Sequence, residues 1–166
     1  MAIAATPLVP KDGTITISDG AGTPLSFEVT YEDGDFQIAG LAAGDWEVET
    51  FYDRGIPYSV RNIKRKSYEF TFTCHAVALS NASSGVILDV VRKAGTWASA
   101  TAVNTAGDAH LVKVVFRGER TDLGATADSL LNLFECHLQA DFSEGVPGKL
   151  TIKGTVINIT SATATG

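Results

Sequence analysis

Three histidines and two cysteines are the residues of this sequence best suited to metal binding or acid–base chemistry. They fall on three predicted strands, as Cys74-His75, His110 and Cys136-His137. The repeated Cys-His dipeptide suggests a zinc site, but neighbouring residues on a strand point to opposite faces and cannot easily bind one ion. Glu135 and His137 share a predicted face, which would allow a metal or acid–base pair. Buried thiols and a solvated strand face are the preferred interpretations.

Sequence motifs of the common enzyme families are absent. The chain has no Gly-x-Ser-x-Gly turn, no phosphate-binding loop, no His-Glu-x-x-His and no Gly-x-Gly-x-x-Gly. The sequence therefore predicts a protein that is not an enzyme and that requires no cofactor and no metal ion.

The most informative cluster of charge lies between residues 54 and 66. Five basic residues occur there without an acidic one, namely Arg54, Arg61, Lys64, Arg65 and Lys66, whereas the rest of the chain has 8 basic and 19 acidic residues. Three interpretations are open: a solvated, mobile tip, a finger that binds phosphate, or an arm that docks on the acidic surface of a neighbouring copy. An arm that docks on a neighbouring copy would generate rings or filaments, because it joins two different patches of identical subunits.

Length and composition predict one globular domain that spans residues 1–166, with flexible termini at 1–11 and 159–166. The chain has 166 residues, of which 45% are hydrophobic and 19% charged, and its net charge of −6 argues against a protein that grips nucleic acid with a basic surface. It lacks both a secretory signal and an apolar run of the ~18 residues that a membrane span requires. We therefore expect a protein that works in solution, without a membrane partner.

Period-two alternation of apolar and polar residues predicts that strands dominate the fold. The predicted strands cover residues 14–18, 25–31, 36–38, 45–50, 68–74, 111–117, 130–142 and 150–156. In the long strand 130–142, Phe134, Cys136 and Leu138 are expected on one face, and Glu135 and Asp141 on the other.

One segment has helical rather than strand periodicity. Apolar residues from Val86 to Ala94 recur with the spacing of one helix face, which predicts a single short helix packed on the sheet. Ser80, Asn81 or Ser83 can cap its start, and Gly95 can adopt the left-handed conformation that ends it.

The basic cluster lies in a segment that predicts a long connection. Residues 53–66 contain Gly55 and Pro57 and show no sustained alternation, and their length of about 14 residues exceeds that of an ordinary hairpin turn. Connections of this length in compact domains usually have a function.

Several runs carry a family resemblance. They are Phe51-Tyr-Asp-Arg-Gly55 leading into Val60-Arg-Asn-Ile-Lys64, the aromatic strand 68–74, Gly95-Thr-Trp97, and Ala140-Asp-Phe-Ser-Glu-Gly-Val-Pro147. In this order, over most of residues 12–158, they resemble the tail tube protein (major tail protein) of long, non-contractile-tailed bacteriophages. They are landmarks of a fold and not a catalytic signature.

The resemblance implies a mainly β fold: a β-sandwich or half-barrel with one short flanking α-helix and a long hairpin loop. It also implies a structural virion protein, of which six copies form a ring around a β-barrel lumen. Stacked rings would make the tail tube through which the genome passes into the host.

The resemblance also assigns residues to roles. The loop that reaches a neighbouring subunit or ring maps onto residues 53–67, with Asp53, Arg54, Tyr58, Arg61, Lys64, Arg65 and Lys66 as contact candidates. Glu47, Glu49, Glu135 and Asp141 are candidates for an acidic lumen lining. An error of one residue in register would exchange the two faces.

Partners and location follow from the same resemblance. The chain would associate with itself and with tape measure, tail terminator and tail tip proteins, and double-stranded DNA would pass through without specific binding. It would be assembled in the bacterial cytoplasm and reside in the phage tail.

Two alternatives remain. One is the inner tube protein of a contractile injection system. The other is a small β-sandwich module that binds carbohydrate, for which Tyr52 and Tyr58 are the only suggestive aromatic pair.

Overall fold

The computed structural model describes residues 14–29, 35–41, 45–75, 86–104, 109–118, 127–145 and 148–164. The strands are β1 (Thr14–Ser18), β2 (Ser26–Val29), β3 (Gln37–Ala39), β4 (Trp46–Asp53), β5 (Ile56–Arg65), β6 (Tyr68–His75), β7 (Val112–Gly118), β8 (Asp128–Ser143) and β9 (Lys149–Ala164). In the described residues between β6 and β7 lie the α-helix α1 (Ile87–Arg92) and a 3₁₀ helix (Gly95–Ser99). No helix in this part of the chain has the length and apolarity needed to cross a membrane.

Seven strands form one open antiparallel sheet in the order β2-β1-β7-β8-β9-β6-β3. The strands β4 and β5 pair only with each other and form a separate two-stranded sheet. The predicted fold class is thereby confirmed, because the molecule is mainly β, has one short helix and is consistent with a tail-tube-like β-sandwich. The sheet is not closed into a barrel.

The core lies on the face of the seven-stranded sheet that the helical segment covers. Alternate residues of six neighbouring strands point into it, and the fully buried ones include Ile15, Phe72, Val114, Leu133 and Ile152. Ile87 and Val90 of α1 and Trp97 of the 3₁₀ helix belong to the same buried cluster. The helix is short and rich in β-branched residues, so this packing rather than intrinsic propensity stabilises it.

Helix α1 begins later than the sequence predicts. Its N-cap is Val86, which makes no side-chain capping hydrogen bond, and the predicted caps Ser80, Asn81 and Ser83 lie outside the described residues. At its end, Lys93 adopts the left-handed conformation with φ of 52°. Gly95 is also left-handed, with φ of 55°, but it begins the 3₁₀ helix, so the prediction that Gly95 ends α1 was wrong and Lys93 has that role.

An irregularity in β8 corrects the predicted faces of that strand. Val112 pairs with Cys136, but Val114 pairs with Leu133, so β8 has one additional residue between these two points. This bulge, at which Glu135 has φ of 58°, shifts the alternation by one. Leu133 and Cys136 are therefore both buried, while Phe134 leaves the core face and lies 5.0 Å from the ammonium of Lys113.

Of the C-terminal segment 159–166 that is predicted to be flexible, residues 159–164 form the end of β9, and residues 165 and 166 lie outside the described part of the chain. The sequence suggested fraying because residues 160–166 are small and polar. The first residues of β8 pair with it, however, and the ladder runs from Leu133↔Ile159 to Asp128↔Ala164. The predicted flexible segment 1–11 lies outside the described residues.

Candidate functional site

The two-stranded sheet is a hairpin that projects from the body of the molecule, and we call residues 45–66 the arm. Two residues, Arg54 and Gly55, join its strands, because Asp53 pairs with Ile56. Both have positive φ, 49° and 83°, as a tight type I′ hairpin turn requires. Residues 53–66 are thus mostly a strand, and the prediction of a long irregular loop there was wrong.

Hydrogen bonds fix the arm to the sheet at its root. Within the arm, the Lys66 amide donates to the Asp45 carbonyl at 2.9 Å, which closes the hairpin. The hydroxyl of the buried Tyr68 donates to the Asp45 carboxylate, and this hydrogen bond is the main reason that the pKa of Tyr68 is raised. Arg65 donates from Nη2 to Oδ1 of Asn158 in β9 at 3.3 Å.

One face of the arm is apolar and exposed. Trp46, Val48 and Tyr52 alternate along β4 and therefore share a face, and Val60 joins them because it pairs with Thr50. Their exposed fractions lie between 46% and 65%. At the tip, Ile56 and Tyr58 are 70% and 80% exposed. So many large apolar residues together on a free surface are typical of an interaction site.

The opposite face of the arm carries paired charges. Glu47 and Lys64 are cross-strand partners with a 3.4 Å contact between carboxylate and ammonium, and Glu49 is directly opposite Arg61. The Arg61 guanidinium also lies 5.6 Å from the ring centroid of Phe51. The arm as a whole has five basic and four acidic residues, so the basic cluster of β5 is largely balanced by the acids of β4.

The four acids predicted to line a lumen do not form one group. Glu47 and Glu49 lie on the arm, whereas Glu135 and Asp141 lie on β8. Asp141 pairs with Lys153, whose Nζ lies 2.6 Å from its Oδ2. Glu135 accepts a hydrogen bond from Nδ2 of Asn104 at 3.0 Å. Two of these four carboxylates thus have a basic partner within their own chain.

The remaining predicted contact residues are Asp53, Arg54, Tyr58, Arg65 and Lys66. Asp53, Arg54 and Tyr58 lie at or near the tip, and Arg65 and Lys66 lie at the root, a full strand length away. They do not converge on one point. Any contact made by the tip is therefore distinct from the contacts that fix the root.

The cysteines and histidines do not form a metal site. Both thiols are buried in the core, and burial raises the pKa of Cys74 to about 11 and that of Cys136 to about 12. His137 is exposed on the opposite side of β8 from Cys136, as strand geometry requires. Among the described residues, no group of three or more His, Cys, Asp or Glu could hold a metal ion.

A shallow groove of about 440 Å³ lies across β3, β6, β9 and β8. Its lining includes Glu69, Thr71, His137, Gln139 and Lys153. The two exposed tyrosines that suggested a carbohydrate site lie elsewhere, on the arm. Stacking aromatic residues and the groove are thus not combined in one site.

The sequence contains a pattern that indicates the hairpin of the arm. Ile56, Tyr58 and Val60 alternate in the same way as Trp46, Val48 and Tyr52 before them, and Arg54-Gly55 is a short turn between the two runs. This pattern could have identified a hairpin.

Comparisons with known proteins identify the fold. The chain is similar to a solved sheath/tube terminator of an extracellular contractile injection system, PVC, in the extended state, with a TM-score of 0.57 and 8% identity over 98% of this chain and 99% of that one. The chain has a tail-tube-like fold. It is also similar to a chain of the PVC sheath-tube complex, with a TM-score of 0.54 and 8% identity over 96% of this chain and 92% of that one.

A third similarity is to the tube-terminating cap of the anti-feeding prophage, with a TM-score of 0.54 and 11% identity over 99% of this chain and 95% of that one. No protein-family model and no curated protein matches the sequence. The resemblance to tail tube proteins is thus supported at the level of the fold. The three structures are components of contractile systems or of the prophage cap, and they do not support the narrower assignment to non-contractile tails.

Proposed function

We propose that this protein is a structural subunit of the tube of a phage-tail-like particle. The observation that carries the proposal is the similarity of the fold, over nearly the full length of both chains, to tube and terminator components. An exposed arm supports it, because a projecting hairpin with a large apolar face is poorly suited to an isolated monomer. In this role the protein has no catalytic function.

Copies of the chain would close into rings, expected to be hexameric, and the rings would stack into a tube. The edges β2 and β3 support ring closure, because no strand among the described residues pairs with their outer sides and such edges can pair with those of a neighbour. The arm would reach a neighbouring copy. The lumen would be a conduit for double-stranded DNA, with Glu47, Glu49, Glu135 and Asp141 as the candidate lining.

The particle would be a virion tail or a related device, assembled in a bacterial cytoplasm. Tape measure, terminator and tip proteins are the expected partners. The similar solved structures favour a contractile particle, in which the tube lies inside a sheath. Binding of the assembled tube to a sheath protein encoded beside its gene would support that assignment, and tubes that bind no sheath would favour a non-contractile tail.

Negative-stain electron microscopy of the purified chain over a concentration series tests the proposal. We expect hollow tubes or closed rings whose number rises steeply with concentration. Particles that remain monomeric throughout the series would contradict it.

A terminator is the second candidate function. It is favoured by the similarity to the PVC terminator, whose TM-score of 0.57 exceeds the 0.54 of the sheath-tube chain. The same micrographs separate the two candidates, because a tube subunit stacks without limit whereas a terminator forms single rings that do not stack.

A further inference from the structure

The tip of the arm combines exposed apolar side chains with an unpaired cation. Tyr52, Ile56 and Tyr58 are between 65% and 80% exposed. Within the described part of the chain, the Arg54 side chain makes no ion pair and no hydrogen bond, in contrast to Lys64 and Arg65 further along the arm. The tip therefore presents an aromatic surface and a guanidinium without a partner of its own.

A second surface has the complementary chemistry. Phe142, near the end of β8, is 54% exposed, and Glu144 follows it on an exposed turn. Asp141 beside them is already engaged with Lys153. Glu144 has no ion pair among the described residues, so this end of β8 offers an aromatic ring and a free carboxylate. We call Phe142 and Glu144 the β8 end.

The root of the arm and the β8 end lie at opposite ends of the same strands. The arm leaves the sheet at Tyr68, which pairs with Val156, whereas the β8 end lies next to His75 and Lys149 at the other end of β6. Seven residues of strand separate these levels, which corresponds to about 23 Å. Because Phe142 and the tip residues are all exposed, the arm does not cover the β8 end of its own chain.

We propose that the tip of the arm of one copy docks on the β8 end of the next copy. The guanidinium of Arg54 would pair with the carboxylate of Glu144, and Tyr52 and Tyr58 would pack against the ring of Phe142. The occupant is a second copy because the complement of the tip, in both charge and aromatic character, is present on this same chain. The inference rests on the proposed function, and it specifies which surfaces join the subunits.

The contact is heterologous, since it joins two different patches. Repetition of such a contact gives a closed ring or an open stack rather than an isolated dimer. This is the kind of contact that a tube requires. The contact between the tip and the β8 end also depends little on the other charges of the arm, because Glu47 and Lys64 pair with each other across the hairpin.

Exchange of the two charges tests the proposal. The variants are R54E, E144R and the double variant R54E/E144R, with E69R as a matched control at an exposed carboxylate on β6, away from the β8 end. We expect each single variant to raise the concentration required for assembly at least ~10-fold, because a close charge pair becomes a repulsive one. The double variant should return to within about threefold of the wild type, and E69R should assemble like the wild type. Sedimentation velocity and electron microscopy give the readout.

Each outcome bears on a separate claim. A wild-type chain that never assembles would overturn the proposed function, and this inference with it. Two outcomes would overturn the tip contact and leave the proposed function intact. In the first, the wild type and E69R assemble but the double variant does not recover. In the second, the single variants assemble like the wild type. Any variant whose thermal unfolding differs from the wild type is replaced by its R54A or E144A counterpart, for which the same loss of assembly is expected.

Discussion

Strands β5 and β6 are consecutive in the chain, but the apolar residues of β6 are buried and those of β5 are exposed. Tyr68, Phe70, Phe72 and Cys74 of β6 are buried in the core. Ile56, Tyr58 and Val60 of β5 are more than 60% exposed. The apolar residues of a strand therefore do not by themselves show which surface covers them. In the proposed tube, a neighbouring copy would cover the exposed residues of β5.

The first prediction compares matched isoleucines in the two regions. Ile152→Ala in β9 removes a side chain with no exposed surface and is expected to lower the free energy of unfolding by about 2–5 kcal/mol. Ile56→Ala, at a position 70% exposed, is expected to change it by less than about 0.5 kcal/mol. Urea unfolding of both variants measures this difference. A large loss in the arm variant would show that the arm packs on its own chain.

Thiol reactivity gives a second test. Because the pKa values of Cys74 and Cys136 are raised to about 11 and about 12, the thiolate fraction of each at pH 8 is about one hundredth of that of an ordinary cysteine, or less. We expect the folded protein to react hardly at all with Ellman's reagent, whereas Tyr58→Cys adds one thiol that reacts at once. Two thiols that react rapidly in the folded wild type would contradict the description of the core.

The pH dependence of stability follows from the same groups. Both thiols have raised pKa values in the folded state, so their neutral forms favour folding at pH values below about 8.5. This contribution is lost as the pH rises toward 11. Chemical unfolding of the wild type should therefore give a lower free energy of unfolding at pH 10 than at pH 8. In a Cys74→Ser variant, the decrease between pH 8 and pH 10 should be smaller.

The fourth prediction concerns space in the core. A Cβ on Gly154 would lie 2.2 Å from the ring of Phe70, which pairs with it across the strands, so Gly154→Ala should lower stability by about 1–3 kcal/mol. Gly22, whose Cβ would meet no atom within 4 Å, is the matched control, and Gly22→Ala should be nearly neutral. Equal thermal stability of the two variants would indicate that Phe70 does not lie over Gly154.

The smallest expected effect lies on the charged face of the arm. Glu47→Gln breaks the ion pair between Glu47 and Lys64. The side chain of Glu47 is 47% exposed, and that of Lys64 is 68% exposed. Exposed pairs contribute about 0–1 kcal/mol, so the thermal unfolding midpoint should barely change. A loss comparable with that of Ile152→Ala would mean that this face is buried against the body.

The sequence predicted most of the strands and the helix α1, because each depends on local pattern, but it placed the left-handed cap of α1 at Gly95 and not at Lys93. Two features of the structure were not predicted from the sequence. The bulge at Glu135 reverses the faces of β8 upstream of it, and no residue type there signals a bulge, so Phe134 was placed in the core. The first strand of the arm is predicted at 45–50, but its second strand, β5, lies in the segment 53–66, where Gly55 and Pro57 indicate a long connection.

The site was harder to predict than the fold. The basic cluster in 54–66 was evident, but its acidic partners, Glu47 and Glu49, precede it in the chain, and only the strand register brings them opposite Lys64 and Arg61. Because Glu47 and Glu49 lie outside the basic cluster in the sequence, only the strand register shows that the charges of the arm are largely balanced. Whether an apolar face is covered depends on tertiary packing, which alternation does not encode.

Removal of the arm tests the central claim most directly. The Lys66 amide and the Asp45 carbonyl are hydrogen-bonded at 2.9 Å, so an Asn-Gly turn can close the chain in place of residues 46–65. The deletion also removes the hydrogen bond from Arg65 to Asn158 of β9. Sedimentation velocity and electron microscopy would compare this variant with the wild type, after circular dichroism has shown that both fold. The account predicts tubes or rings from the wild type and only folded monomers from the shortened chain. Tubes or rings formed equally well without the arm would contradict it.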